Sequence, residues 1–138
     1  MTDVPIGEQV VGADGRTLAE HWDGSPRTYL TTAVHGFPNL FFLAGPNAGL
    51  GHNSIIYMIE SQITYVLDAL RLLRARGAGT IEVTRQAQDE FCAEIDERTD
   101  GSVWTAGGCR SWYLDRTGRN SVLWPGPTFE FQIGRAHV

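Results

Sequence analysis

The sequence predicts an α/β fold, and three adjacent features carry that reading. Leu40 to Ala44 is an unbroken apolar run, the pattern of a strand covered on both faces. A glycine-rich loop with Gly45, Gly49 and Gly51 follows it. Beyond the loop, from Ile55 to Arg76, apolar residues recur at helical spacing. Strand, loop and long helix form the best-defined unit of the chain.

The remaining elements follow in order. Residues 1–36 are rich in turn formers and read as a loop segment wrapped over something larger, with too few apolar residues to bury a face of its own. Within it, Thr17 to Trp22 reads as a short helix, with Thr17 and Glu20 spaced as a capping box. Gly45-Pro46-Asn47 turns the chain out of strand 40–44. In the long helix, Ile59, Ile63, Val66, Leu67, Leu70 and Leu73 predict one apolar stripe. Arg71, Arg74 and Arg76 suit the negative end of the helix dipole, and Gly77 and Gly79 end the helix. Thr80 to Val83 reads as a short strand. Thr84 opens a second helix to about Arg98, with Ala87, Phe91, Cys92 and Ile95 on one side. Arg110 to Leu114 and Asn120 to Trp124 are strand-like, joined by a hairpin turn over 115–119.

Bulk properties narrow the function classes. With 138 residues the chain is one modest domain, and 42% hydrophobic with 20% charged residues is ordinary for a globular protein. The net charge of −5 comes without a basic cluster, which argues against nucleic acid and anionic membrane as partners. No basic start followed by an apolar stretch marks a secretory signal, and no apolar run is long enough for a membrane span. Cys92 and Cys109 form no CxxC pair, which favours a reducing cytoplasm. No metal site is expected.

A glycine turn feeding a helix start is also a site for negative charge. The first backbone N–H groups of a helix are free, and the dipole adds partial positive charge. The glycines at 45, 49 and 51 are expected to let a ligand approach the backbone. An ordinary strand-to-helix connection has the same pattern. Neither GxGxxG nor GxxxxGK[ST] spacing is present, so no primary pyrophosphate site or P-loop is expected.

The ordered run from Gly36 through Gly45-Pro46-Asn47-Ala48-Gly49-Leu50-Gly51-His52-Asn53-Ser54 resembles the flavin-contacting segment of Baeyer–Villiger monooxygenases. It is most similar to the branch that includes 4-hydroxyacetophenone monooxygenase. The resemblance continues at Ile59-Glu60-Ser61-Gln62, at 107–115, at Gly118-Arg119-Asn120 and at Leu123-Trp124-Pro125-Gly126, and covers about residues 2 to 132. It implies the C-terminal part of a two-dinucleotide-binding-domain flavoprotein with an incomplete sheet. Residues 1–36 would come from the junction of the NADP and FAD domains. Residues 37–79 would be the strand–loop–helix of the FAD domain, and 80–132 an aromatic-rich extension.

The same resemblance implies FAD and NADPH as cofactors, and O₂ with a ketone, amine or sulfide as substrates. It implies that Gly45, Pro46 and Asn47 contact FAD, and that Gly51, His52, Asn53 and Ser54 face the pyrimidine edge of the flavin. His52 is a weak catalytic candidate, with a structural role at the helix start as the alternative. Asn53 and Ser54 are helix caps in the first instance, and Glu60 is a polar anchor. Trp112 sits either near the NADP ribose or in an aromatic core. Arg119 and Asn120 either help bind NADP or build a hairpin tip. Phe37 and Asn39 position the strand.

The fingerprint FxGxxxHxxxWP is absent; Asn120 stands where Trp124-Pro125 would need a histidine. The expectation is therefore a fragment offering one wall of a flavin pocket, inactive alone, with the N-terminal part of the same enzyme as partner. Ile133 to Val138 reads as a translated sequencing-library adapter and is expected to be non-native. The alternative function is a stand-alone small domain binding a nucleotide or a protein without catalysis. A disulfide reductase of similar architecture would need a cysteine pair that the chain lacks.

Overall fold

The computed structural model is mostly helical among the residues the structure describes, 5–49, 54–100, 102 and 113–131, and two of its helices start on a side-chain cap. Helix α1, Leu18–Trp22, has the expected capping box. The Glu20 amide donates to Thr17 Oγ1 at 3.2 Å, and the Thr17 amide donates to Glu20 Oε2 at 2.8 Å. Helix α2, Ile55–Ala75, ends in a Schellman motif. The Ala78 amide bonds the Leu73 carbonyl at 3.0 Å, and Gly77 takes φ 59° between them. Helix α3, Arg85–Thr99, starts on Thr84, whose Oγ1 accepts from the Ala87 amide at 3.2 Å. A 3-10 turn, Pro5–Glu8, packs on α1.

The described residues contain no sheet, which corrects the α/β reading. Only isolated bridges occur, among them Ala33 with Phe41, Gly49 with Leu123, and Leu114 with Asn120. Run 40–44 is not a strand, because Asn39 (φ 61°) and Ala44 (φ 53°) turn the chain at either end. An apolar run needs neighbouring strands to extend against, and the described residues offer none. Segment 80–83 is not a strand either. Asn39 holds it, exchanging backbone and side-chain hydrogen bonds with Ile81 at 3.0 Å. The 115–119 turn forms as expected, but its arms meet only at the 114–120 bridge, and 110–112 lie outside the described residues.

Two apolar clusters hold the elements together. Leu30, Met58, Ile95, Trp124 and Phe131 form one, with Tyr29, Tyr65 and Phe91 against it. Leu18, Trp22, Val34 and Phe37 form the other. Three of those four lie within residues 1–36, so that segment buries a face of its own, contrary to expectation. Its turn formers obscured three apolar residues spread over 17 positions.

Helix α2 turns its predicted stripe only partly inward, with Ile59, Val66 and Leu73 half-buried. Its buried residues are Met58, Ser61, Gln62 and Ala69. Ile63, Leu67 and Leu70 of the predicted stripe are 44%, 46% and 48% exposed. Helix α3 packs as predicted, with Cys92 and Ile95 buried and Ala87 and Phe91 half-buried.

Candidate functional site

The loop after the apolar run is built on Asn47. This residue is buried, takes φ 61°, and donates its side-chain amide to the carbonyls of Asn120 at 2.8 Å and Leu123 at 3.1 Å. Its backbone amide bonds Ser121 O at 2.9 Å. Gly49 and Val122 continue the pairing at 2.8 Å, and the Trp124 amide returns to Gly49 O at 2.8 Å. A short parallel seam therefore joins loop 47–49 to residues 121–124.

The seam changes what the glycines do. A Cβ at Gly49 would stand 2.7 Å from the Val122 carbonyl oxygen, and one at Gly45 would collide with the Thr31 carbonyl. Close backbone neighbours within the chain therefore already require glycine at both positions. Pro46 is half-buried between them.

Gln62 of α2 anchors the front of the loop. It is fully buried; its Nε2 donates to Thr31 O at 3.0 Å and Thr31 Oγ1 at 2.7 Å, and its Oε1 accepts from the Ala44 amide at 2.8 Å. Leu30 and Thr31 sit at φ 48° and 55°, a conformation that costs a β-branched residue about 1–3 kcal/mol. Sequence reasoning missed this anchor. Its signal was the spacing of Met58, Gln62, Tyr65 and Ala69, which share one helical face with polar or small members.

The start of α2 is electrostatically open. Ser54 occupies the N-cap position but makes no side-chain capping bond, and no acidic residue stands in the first turn. The amides of Ile55 and Ile56 have no acceptor among the described residues. Both residues are exposed, at 38% and 62%. A helix end of this kind favours negative charge beside it. Gly51, His52, Asn53 and Trp112 lie outside the described residues.

The other predicted residues have structural partners. Glu60 is exposed on α2, and its carbonyl accepts from Thr64. Arg119 Nε meets Asp96 at 2.6 Å and Nη1 meets the Pro26 carbonyl at 2.9 Å, with the side chain only 9% exposed. Asn120 is buried and caps the amides of Val122 and Leu123. Phe37 lies in the core and Asn39 pins segment 79–81. At the turn, Asp115 Oδ2 accepts from Ser25 Oγ at 2.7 Å, while Oδ1 takes Thr117 and Arg119 amides. Burial alone would raise the Asp115 pKa; the bonds from Thr117 and Ser25 outweigh it and hold the carboxyl below its usual value. Burial pushes the Cys92 thiol up, so it is an inert core group. The described residues contain no metal-binding cluster, and none of their helices is long and apolar enough to cross a membrane.

A cavity of about 630 Å³ lies elsewhere, between α2 and residues 81–87, and neither residues 43–49 nor Ser54 line it.

Among the described residues, loop 45–49 and the start of α2 stand with no strand beside them. The relatives identify the family. The chain is 52% identical over 130 residues to a Baeyer–Villiger monooxygenase of Pseudomonas aeruginosa, covering 93% of this chain and 25% of that protein. A Baeyer–Villiger monooxygenase of Streptomyces coelicolor is 48% identical, covering 96% and 26%. A steroid monooxygenase solved with NADP bound superposes with a TM-score of 0.78 at 35% identity, over 93% of this chain and 24% of that one. No family model matches the chain. The chain belongs to the class B flavin monooxygenases, within the Baeyer–Villiger family, and spans about a quarter of the length of the curated relatives it matches.

Proposed function

We propose that this chain supplies one wall of the flavin site in an FAD- and NADPH-dependent monooxygenase that oxidises carbonyl compounds. The bound flavin would supply the oxygen chemistry: O₂ is split, one atom entering the ketone to give an ester and the other leaving as water at the expense of NADPH. The chain's own contribution is positional and electrostatic. The seam between 47–49 and 121–124 holds the loop rigid, and the Gln62 anchor holds it against α2.

The carrying observation is the α2 start, where the Ile55 and Ile56 amides have no acceptor among the described residues and no carboxylate stands in the first turn. A helix end of this kind stabilises an adjacent anion by about 0.3–1 kcal/mol, and up to about 2 when partly buried. Reduced flavin carries its charge along the pyrimidine edge, which is the edge assigned to this wall. Gly45, Pro46 and Asn47 would lie along the isoalloxazine. Gly51, His52 and Asn53 would complete the helix start, and Trp112 would approach the NADP ribose. One wall does not make a catalyst, so the chain alone is inactive. Ketone oxygenation is preferred to nitrogen or sulfur oxidation because of the close match through Gly45 to Ser54, which also favours the 4-hydroxyacetophenone monooxygenase branch.

Acetophenone and thioanisole offered separately to the flavin-loaded enzyme that carries this segment distinguish these outcomes. Phenyl acetate formed in equal amount to NADPH consumed supports the reading. Sulfoxide without ester would move the enzyme to heteroatom oxidation. An enzyme that holds no flavin would remove the reading altogether.

A further inference from the structure

We propose that the cleft between the C-terminal half of α2 and residues 81–87 is a second binding site, for a neutral, mainly apolar molecule whose oxygen accepts hydrogen bonds from Tyr29 and Tyr65. This goes beyond the flavin wall and does not depend on it, since neither residues 43–49 nor Ser54 line the cleft.

The cleft holds about 630 Å³, within the roughly 300–1,000 Å³ of small-molecule sites. Val34, Phe41, Ala69, Leu72 and Ile81 give it apolar walls. Residues 81–83 form a built side rather than a loose flap. Asn39 bonds Ile81 from both its backbone and its side chain at 3.0 Å. His35 Nδ1 meets the Val83 carbonyl at 3.1 Å, and the Gly36 amide meets Glu82 at 2.6 Å.

The polar groups choose the ligand. Tyr29 and Tyr65 both line the cleft, and neither hydroxyl makes a hydrogen bond to the described residues. Partly buried phenols ordinarily find a partner. Burial raises the Tyr65 pKa to about 12, with Tyr29 adding to it, and raises Tyr29 as well. Both hydroxyls therefore stay protonated and able to donate at neutral pH. Asp68 and Glu82 are the charged lining residues, and no Lys or Arg is among them, which disfavours an anion. Asp68 is paired with Arg71 at 2.9 Å, and Glu82 is held by the His35 ring at 3.0 Å and the Gly36 amide at 2.6 Å, so both carboxylates already have partners within the chain. A neutral carbonyl compound or ester meets all these conditions.

The test soaks crystals of the protein, as its source produces it, with acetophenone, benzylammonium or benzoate in turn. Acetophenone in the cleft, its carbonyl oxygen within bonding reach of both tyrosines, with neither ion bound there, is the expected result. A cleft that stays empty, is filled by other parts of the protein, or takes either ion equally well overturns the proposal. Tyr29→Phe with Tyr65→Phe removes hydroxyls that bond no described residue and keeps both rings in place. It should weaken binding of acetophenone at this site about tenfold, the equivalent of one good hydrogen bond. Unchanged affinity would overturn the role of the tyrosines.

Discussion

Single side chains carry much of this structure, and their roles are measurable. Gln62→Leu would strand the Thr31 carbonyl and hydroxyl and the Ala44 amide, each otherwise satisfied by this one residue. With a left-handed Thr31 to support as well, the loss should be about 3 kcal/mol in urea unfolding. A loss below about 1 kcal/mol would mean that the anchor is dispensable. Asp115 sets an acid limit. Its folded pKa lies below the ordinary 3.8, so its contribution is full above that value and fades as pH falls through the folded pKa. Asp115→Asn should therefore lower stability at neutral pH and flatten the stability profile below about pH 4, read from unfolding midpoints across the acid range. At this scale the sequence was legible where chemistry is local: Thr17, Glu20 and Thr84 cap as their spacing says. Asn47 was legible as important but not in its role. Its amide hydrogens go to residues more than seventy positions away, and no local pattern reports such a bond.

At the scale of elements, helices were readable and strands were not. A helix satisfies its own backbone, so caps and periodicity suffice to place it. A strand exists only through its neighbours, and run 40–44 finds one bridge, at Phe41. The face of α2 failed for a related reason. Period alone marks Ile63, Leu67 and Leu70 as apolar, but not which partner they await. A triple change of these three to Lys should raise solubility of the 138-residue chain while leaving its unfolding midpoint nearly unchanged. A large drop in midpoint would show that they already pack within this chain. At the other end of the helix, a Cβ at Gly77 would meet no atom, so Gly77→Ala tests backbone conformation alone. Its positive φ should cost about 1 kcal/mol in thermal or urea unfolding.

The whole molecule makes sense as a portion of something larger. It is similar over 93% of its length to relatives four times as long, and its longest helix leaves an apolar stripe facing outward. Local patterns and the ordered run through Gly45 to Ser54 made the family legible. The cleft lined by Tyr29 and Tyr65 was not, because its walls come from three separated stretches of chain. The central claim is that loop 45–49 and the start of α2 line the flavin. Hydrogen exchange, compared between flavin-free and flavin-loaded forms of the enzyme that carries this segment, tests it most directly. The account predicts slower exchange on flavin binding at the amides of Ile55 and Ile56 and in the adjoining loop, with no change over 66–75 at the far end of α2. Equal protection along the whole helix, or none at its start, would contradict it.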